Sequence, residues 1–319
     1  MSIISKDISK AIAILNSEEL VAIPTETVYG LAGNIFSEKA INRIFSTKKR
    51  PLFNPLILHI PSANLLHSIA SYVPEKAKRL ADAFWPGPLT LVLPKQSTIP
   101  DLITAGKPTV AVRVPNHKLT LELLEKLEFP LAAPSANPFG SISPTTAQHV
   151  NDYFEHDIQM VLDGGYCQRG IESTIIGFEG EEPVVFRLGS TSLEAIEAIV
   201  GSVVVKNKKE IAPDAPGMLD RHYAPLTKTI LTDNLLQAIE LNNDKKIGVL
   251  AFKNQIISEH VIFQLVLSEQ GDTVEAASNL YEALHKLDKQ DLDLIIAERL
   301  PEFELGKSVN DRLQRATVR

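Results

Sequence analysis

Short apolar runs alternate with segments of helical period along most of this chain, and that rhythm restricts the fold more than any single residue does. Runs at 20–23, 56–60, 89–93, 109–114, 131–133, 160–162, 174–178 and 184–187 predict strands. Segments 6–16, 38–47, 74–84, 118–127, 145–151 and 193–200 predict helices. Strands outnumber helices, and a short acidic turn, Glu179-Gly180-Glu181-Glu182-Pro183, joins the last two strands. The expected architecture is α/β with a mixed, twisted open sheet rather than a purely parallel one.

Residues 206–227, KNKKEIAPDAPGMLDRHYAPLT, break the rhythm with charges, prolines and a glycine. They read as a linker. Met218, Leu219, His222 and Tyr223 are poor choices for a solvated spacer, so this linker is expected to dock on a domain. A second alternation follows, with strands at 229–231, 247–251, 261–267 and 292–297 and helices at 234–241, 273–287 and 309–316. That pattern predicts a small three-layer α/β, Rossmann-like domain with a mainly parallel sheet. The expected division is therefore 1–205, a linker over 206–227, and 228–319, in keeping with a chain of 319 residues.

Composition removes several classes of function. Cys167 is the single cysteine, which excludes internal disulfides and CxxC metal sites and fits a reducing compartment. The N-terminus has acidic residues and helical spacing rather than a signal-peptide layout. No apolar run approaches the roughly 20 residues that span a bilayer, so a cytoplasmic location without membrane contact is expected. The net charge is −7 and both predicted domains are acidic, so any anion site must be a local pocket rather than a broad basic face. P-loop, GxGxxG, HExxH and GxSxG signatures are all absent.

Polar clusters sit where strands exit. Pro24-Thr25-Glu26-Thr27-Val28-Tyr29-Gly30-Leu31 follows the first strand. Its hydroxyls could serve a ligand or only local backbone groups, and Glu26 and Tyr29 read as loop scaffolding. Lys48, Lys49 and Arg50 end a helix, where cations are favoured by the dipole alone. The rigid Pro51-Leu52-Phe53-Asn54-Pro55 frame suits a loop presenting cations to phosphate oxygens. Trp85-Pro86-Gly87-Pro88 reads as a structural turn. Alternation puts Thr109, Ala111 and Arg113 on one strand face, and a buried Arg113 needs a partner, either a ligand carboxylate or an internal acid. The small residues of Ala132-Ala133-Pro134-Ser135-Ala136-Asn137 permit close ligand approach, and Ser143-Pro144 reads as the N-cap and first residue of a helix. Ser173 begins one strand of the acidic hairpin and Arg187 ends the other, so pairing would bring them together.

These motifs, in this order, resemble the YrdC-like family of threonylcarbamoyl-AMP synthases. The resemblance rests on Pro-Thr-Glu-Thr-x-Tyr-Gly-Leu, Lys-x-Arg-Pro-x-x-Asn-Pro-Leu, Trp-Pro-Gly-Pro-x-Thr, Arg-x-Pro, Pro-Ser-Ala-Asn, Ser-Pro-Thr and Glu-Ser-Thr-Ile across residues 24–190. Ala215-Pro216-Gly217-Met218 and Arg221-His222-Tyr223-Ala224-Pro225 resemble the linker of the long, two-domain form. The resemblance implies a concave sheet around a cationic cavity. It implies synthesis of threonylcarbamoyl-AMP from L-threonine, bicarbonate and ATP, with pyrophosphate released. The product would pass to a tRNA threonylcarbamoyl transferase for N6-threonylcarbamoyladenosine formation. By the family pattern Thr27, His59, Arg113, Ala133 and Ser173 surround threonine. Lys48, Arg50, Asn54, Thr109, Ser135, Asn137, Ser143 and Arg187 contact ATP, with Lys48 and Arg50 in the catalytic role. His222 and Tyr223 close over the nucleotide. Mg2+ accompanies ATP, with no metal ligand expected from protein side chains. Phe139 and Gly177 depart from the pattern, standing where a serine and an acidic residue are common.

Two other readings compete. A cationic cavity could support weak RNA binding or a double-stranded-RNA module, against which the acidic balance argues. A hydrogenase-maturation carbamoyltransferase carries a related domain but needs zinc-binding cysteines that this chain lacks.

Overall fold

The computed structural model describes residues 2–206 and 223–318. His222 and most of the expected docking linker lie outside them. The chain divides into two compact units, Met1–Phe139 with Pro144–Gln168 and Glu172–Leu219, and Gly140–Ser143 with Arg169–Ile171 and Asp220–Arg319.

The first unit is built on a mixed sheet of β1 (Ile3–Ser5), β2 (Val21–Ile23), β3 (Gly30–Asn34), β4 (Ile57–His59), β5 (Leu89–Pro94), β6 (Thr109–Arg113), β7 (Leu131–Ala132), β8 (Met160–Leu162), β9 (Thr174–Glu179), β10 (Glu182–Arg187) and β11 (Val204–Val205). Their order is β1-β8-β2-β3-β7-β4-β6-β5-β9-β10-β11. Antiparallel pairs such as β2–β3 and β9–β10 alternate with parallel ones such as β4–β6 and β5–β9. The mixed sheet expected from the hairpin is therefore present.

Strand alternation sorts the two faces. Leu58, Leu91, Val110, Val112 and Ile176 enter the main core with Ile41, Ile44 and Phe45 of the helix Glu38–Lys48 and Leu80 of the helix Glu75–Phe84. The apolar stripe at 40, 41, 44 and 45 is why that first helix packs there, and Ser37 caps it by accepting the Ala40 N–H at 3.1 Å. On the opposite face the helices Ile8–Asn16 and Lys118–Glu125 cover β2, β3, β7 and β8 through Leu15, Leu123 and Leu124. Over β4, β6, β5 and β9 that face carries a small cluster of Ile57, Val92, Ala111 and Ile175, with Phe186 packed against it.

Several elements depart from the sequence expectation. β1, β3 and β11 lie outside the expected strands. β3, Gly-Leu-Ala-Gly-Asn, has weak strand propensity, but β2 and β7 flank it on both sides. Ser143 is not a helix N-cap. The helix runs Ala147–Phe154 and is capped by Thr146, whose side chain accepts from the His149 N–H. Pro144 is held out of the helix because its carbonyl accepts the Tyr29 N–H at 2.9 Å.

The second unit carries a wholly parallel sheet, β12 (Thr229–Thr232), β13 (Ile247–Ala251), β14 (Val261–Val266) and β15 (Leu294–Glu298), in the order β12-β15-β13-β14. Its helices are Leu235–Glu240, Thr273–Asp288 and Gly306–Ala316. No helix among the described residues is long and apolar enough to cross a membrane.

Candidate active site

Register gathers the site on the open face of the first sheet. His59 lies opposite Arg113 in the parallel pair β4–β6. β5 runs antiparallel to β6 and parallel to β9, which brings Leu89 beside Thr174. β10 returns so that Arg187 lies beside Ile175. His59, Arg113, Ser173 and Arg187 therefore lie at one end of the sheet, with the last two in contact as the hairpin had suggested. The Ser173 hydroxyl is 2.7 Å from that of Thr90. Arg187 donates to the Ser173 carbonyl from Nε at 3.2 Å and from Nη2 at 2.9 Å. Thr109 shares its face with Arg113 four residues away, about 13 Å along an extended strand.

The Pro24–Leu31 loop reaches Arg113. Thr25 closes its turn, donating its hydroxyl to the Val28 carbonyl at 2.7 Å and accepting the Thr27 and Val28 N–H groups. That fixes the Thr27 hydroxyl, which accepts from Arg113 Nη1 at 3.0 Å. Arg113 Nη2 also meets Glu26 Oε1 at 2.7 Å. Glu26 is thus the internal acid that the sequence left open, not mere scaffolding. Tyr29 is scaffolding: its hydroxyl donates to the Gly165 carbonyl at 2.8 Å and accepts the Gly164 N–H, and burial raises its pKa. Burial first, and then the Arg113 charge, lower the His59 pKa to about 3, so the imidazole is neutral.

The cations gather elsewhere on the same unit. Lys48 ends the helix Glu38–Lys48 and is buried, its Nζ donating to the Ser135 and Asn137 carbonyls at 2.5 Å each. Burial, with the neighbouring Arg50 charge, pushes its pKa well down. Arg50 curls onto the frame that follows it, donating from Nη2 to Asn54 Oδ1 at 2.6 Å and to the Pro55 carbonyl at 2.8 Å. This fork, rather than the prolines alone, explains the rigid Pro-x-x-Asn-Pro segment. Ala133 donates its N–H to the Ile57 carbonyl at 3.1 Å. Gly30 bridges Ser135, and a Cβ at Gly30 would come within 3.1 Å of the Ala133 side chain. Gly30 therefore sets how closely the Ala133–Asn137 loop approaches.

Two candidates belong to the second unit. Ser143 is buried, and its carbonyl lies 3.2 Å from His285 Nε2. Tyr223 is buried at a positive φ of 63°, stacked on Tyr281 with ring centres 5.8 Å apart, and Arg312 lies 5.1 Å over its ring.

Among the buried polar atoms of the first unit's candidates, Asn54 Nδ2, His59 Nδ1, Arg113 Nε and Arg113 Nη2 have no hydrogen-bond partner among the described residues, the last meeting Glu26 only as an ion pair. Native interiors satisfy nearly all such groups, so each orphan needs an explanation, and a polar ligand supplies one.

A family model for Sua5, YciO and YrdC proteins, described as telomere recombination, matches residues 13–189. The chain belongs to the Sua5/YciO/YrdC family. A second model, for the C-terminal domain of threonylcarbamoyl-AMP synthase, matches residues 191–318. The chain is 43% identical to a threonylcarbamoyl-AMP synthase of Pyrococcus abyssi, over 96% of this chain and 93% of that one. It is 38% identical to that of Bacillus subtilis, over 97% and 92%. The crystal structure of Pyrococcus abyssi Sua5 complexed with L-threonine superposes with a TM-score of 0.92 at 40% identity, covering 99% and 98% of the two chains.

At Gly177, where the resemblance implies an acidic residue, a side chain has no room. A Cβ there would come within 2.1 Å of the Phe186 ring, which occupies the space across β9 and β10. The Phe139 N–H donates to the Lys48 carbonyl at 2.7 Å, a backbone contact that any side chain at 139 can make. Sequence reasoning missed the Glu26–Arg113 pair and the Arg50–Asn54 fork. A carboxylate one residue from a candidate hydroxyl was the available signal for the first.

Proposed function

We propose that the chain synthesises threonylcarbamoyl-AMP from L-threonine, bicarbonate and ATP, releasing pyrophosphate and water. The observation that carries this is one open sheet face holding an arginine, a neutral histidine and hydroxyls around Arg113, and buried cations around Asn54. An amino-acid carboxylate and a polyphosphate need those two environments at a separation that one strand spans.

In this reading Arg113 directs the threonine carboxylate, with Thr27, His59, Ala133 and Ser173 around the rest of the amino acid. Threonine's amine and bicarbonate combine as a carbamate with loss of water. A carbamate oxygen attacks the α-phosphorus, its P–O bond forms as the bond to the β-phosphate oxygen breaks, and pyrophosphate leaves. Lys48 and Arg50 offset the charge that develops, while Asn54, Thr109, Ser135, Asn137, Ser143 and Arg187 hold the nucleotide. His222 and Tyr223 close its side. Such transfer depends on positioning and charge neutralisation rather than on a covalent nucleophile. Mg2+ would neutralise the triphosphate, held by phosphate oxygens. Among the described residues no three His, Cys, Asp or Glu side chains cluster to hold a metal. The product would pass to a tRNA threonylcarbamoyl transferase.

The test is pyrophosphate release with threonine, bicarbonate, ATP and Mg2+, omitting each in turn. Release that needs all of them supports the proposal; release indifferent to threonine or bicarbonate contradicts it.

A further inference from the structure

We infer that Glu26 is a positioning residue for the threonine site, fixing the Arg113 guanidinium so that its Nε–H remains as the donor to the substrate carboxylate. This rests on the function proposed above.

The Glu26 carboxylate meets two partners. Oε1 forms an ion pair with Arg113 Nη2 at 2.7 Å, and Oε2 accepts the Asn116 N–H at 3.0 Å. Asn116 lies three residues beyond Arg113, so one side chain ties the guanidinium to the backbone that carries it. Both partners are nearly inaccessible, with 5% of the Arg113 side chain and 7% of that of Glu26 exposed. A lone buried guanidinium is costly, and its carboxylate partner offsets that cost. Thr27 takes Nη1, so consecutive residues of one loop hold both terminal nitrogens. Nε is the buried Arg113 nitrogen left without a hydrogen bond or an ion pair among the described residues. A guanidinium held at both terminal nitrogens presents its Nε–H in one direction, which a free arginine cannot do.

The chemistry of position 26 is demanding. A carboxylate is acceptor-only, whereas glutamine offers one acceptor oxygen and a donor NH2 group. Glu26→Gln therefore leaves either Arg113 Nη2 or the Asn116 N–H without an acceptor, at nearly constant volume. Glu26→Asp keeps the charge but is one methylene short of spanning both donors.

The experiment measures pyrophosphate release by the full chain for wild type, Glu26→Gln, Glu26→Asp, Arg113→Lys and the double variant Glu26→Gln/Arg113→Lys, with calorimetric threonine binding on the same proteins. Glu26→Gln is expected to raise the threonine KM roughly 10–100-fold, the scale of a misplaced binding group, with the ATP KM essentially unchanged. Glu26→Asp should fall between wild type and Glu26→Gln. In the Arg113→Lys background the glutamine substitution should add almost nothing to the threonine KM, because there is no fork left to orient. A merely structural Glu26 would lower thermal stability in both backgrounds and leave the threonine KM untouched. An unchanged threonine KM in a folded Glu26 variant, equal rises for both substrates, or a full additive effect in the double variant overturns the inference. If Glu26→Gln does not fold, an unchanged threonine KM in Glu26→Asp overturns it equally. Wild type that neither binds threonine nor needs it for pyrophosphate release overturns the function reading itself.

Discussion

Arg113, at the carboxyl end of β6, meets a carboxylate at 2.7 Å, whereas the Lys48 ammonium meets two carbonyl oxygens at 2.5 Å. Both cations are buried, so both must be compensated, but the compensation differs in kind. Glu26 balances the Arg113 charge, which leaves direction as the main thing Arg113 can offer. Carbonyl dipoles leave the Lys48 charge in place, and burial pushes its pKa well down. A balanced guanidinium suits a singly charged, oriented ligand. An unbalanced ammonium suits a polyanion whose arrival favours its protonated form.

The substitutions that break this contrast should do so asymmetrically. Arg113→Ala strands Glu26 as a buried charge and removes the fork, which should raise the threonine KM by about 2–5 kcal/mol in binding terms while sparing ATP. Lys48→Met should act on the other substrate, raising the ATP KM and lowering kcat/KM for ATP roughly 100-fold or more, the scale of losing one charge-stabilising group. Initial-rate measurements on the purified variants check both.

The β9–β10 hairpin gives a smaller, purely steric effect. Gly177→Asp introduces the acidic type that the resemblance implies but drives a Cβ into the Phe186 ring. Such overpacking costs about 1–3 kcal/mol, and urea midpoints should show it. Adding Phe186→Ala should recover part of the loss.

Acid sensitivity sharpens the contrast further. The His59 pKa is lowered to about 3 in the folded chain from its ordinary 6.5. As pH falls below 6.5 the unfolded chain takes up a proton that the folded chain refuses, so stability declines until about pH 3. Between pH 6.5 and 5.5 this should amount to about 1 kcal/mol. His59→Gln should remove that part of the slope in urea titrations, and an unaltered slope would show that His59 titrates normally.

Much of the fold is legible in sequence because it is periodic. The helix at 193–200 and the strand at 247–251 lie where their apolar spacing puts them, and the acidic hairpin predicts the Ser173–Arg187 contact. What was not legible depends on partners distant in sequence. β3 is a strand because β2 and β7 flank it, despite its glycines. Ser143-Pro144 has the chemistry of a helix start, yet the Tyr29 N–H takes the Pro144 carbonyl. In the site, residue types marked Lys48, Arg50 and Arg113 as charges needing partners. Whether the partner was a ligand, a carbonyl or an acid was decided by the loops that fold back over them. Glu26 lay beside Thr27 throughout, and its role became visible only with its two donors, 87 and 90 residues away.

The central claim is that the first unit holds threonine through Arg113 and ATP through Lys48. The most direct test is the KM of both substrates in Arg113→Ala and Lys48→Met, measured by pyrophosphate release in the same assay. A crossed result is expected, with threonine weakened in the first variant and ATP in the second. Parallel losses of both substrates in both variants would contradict it.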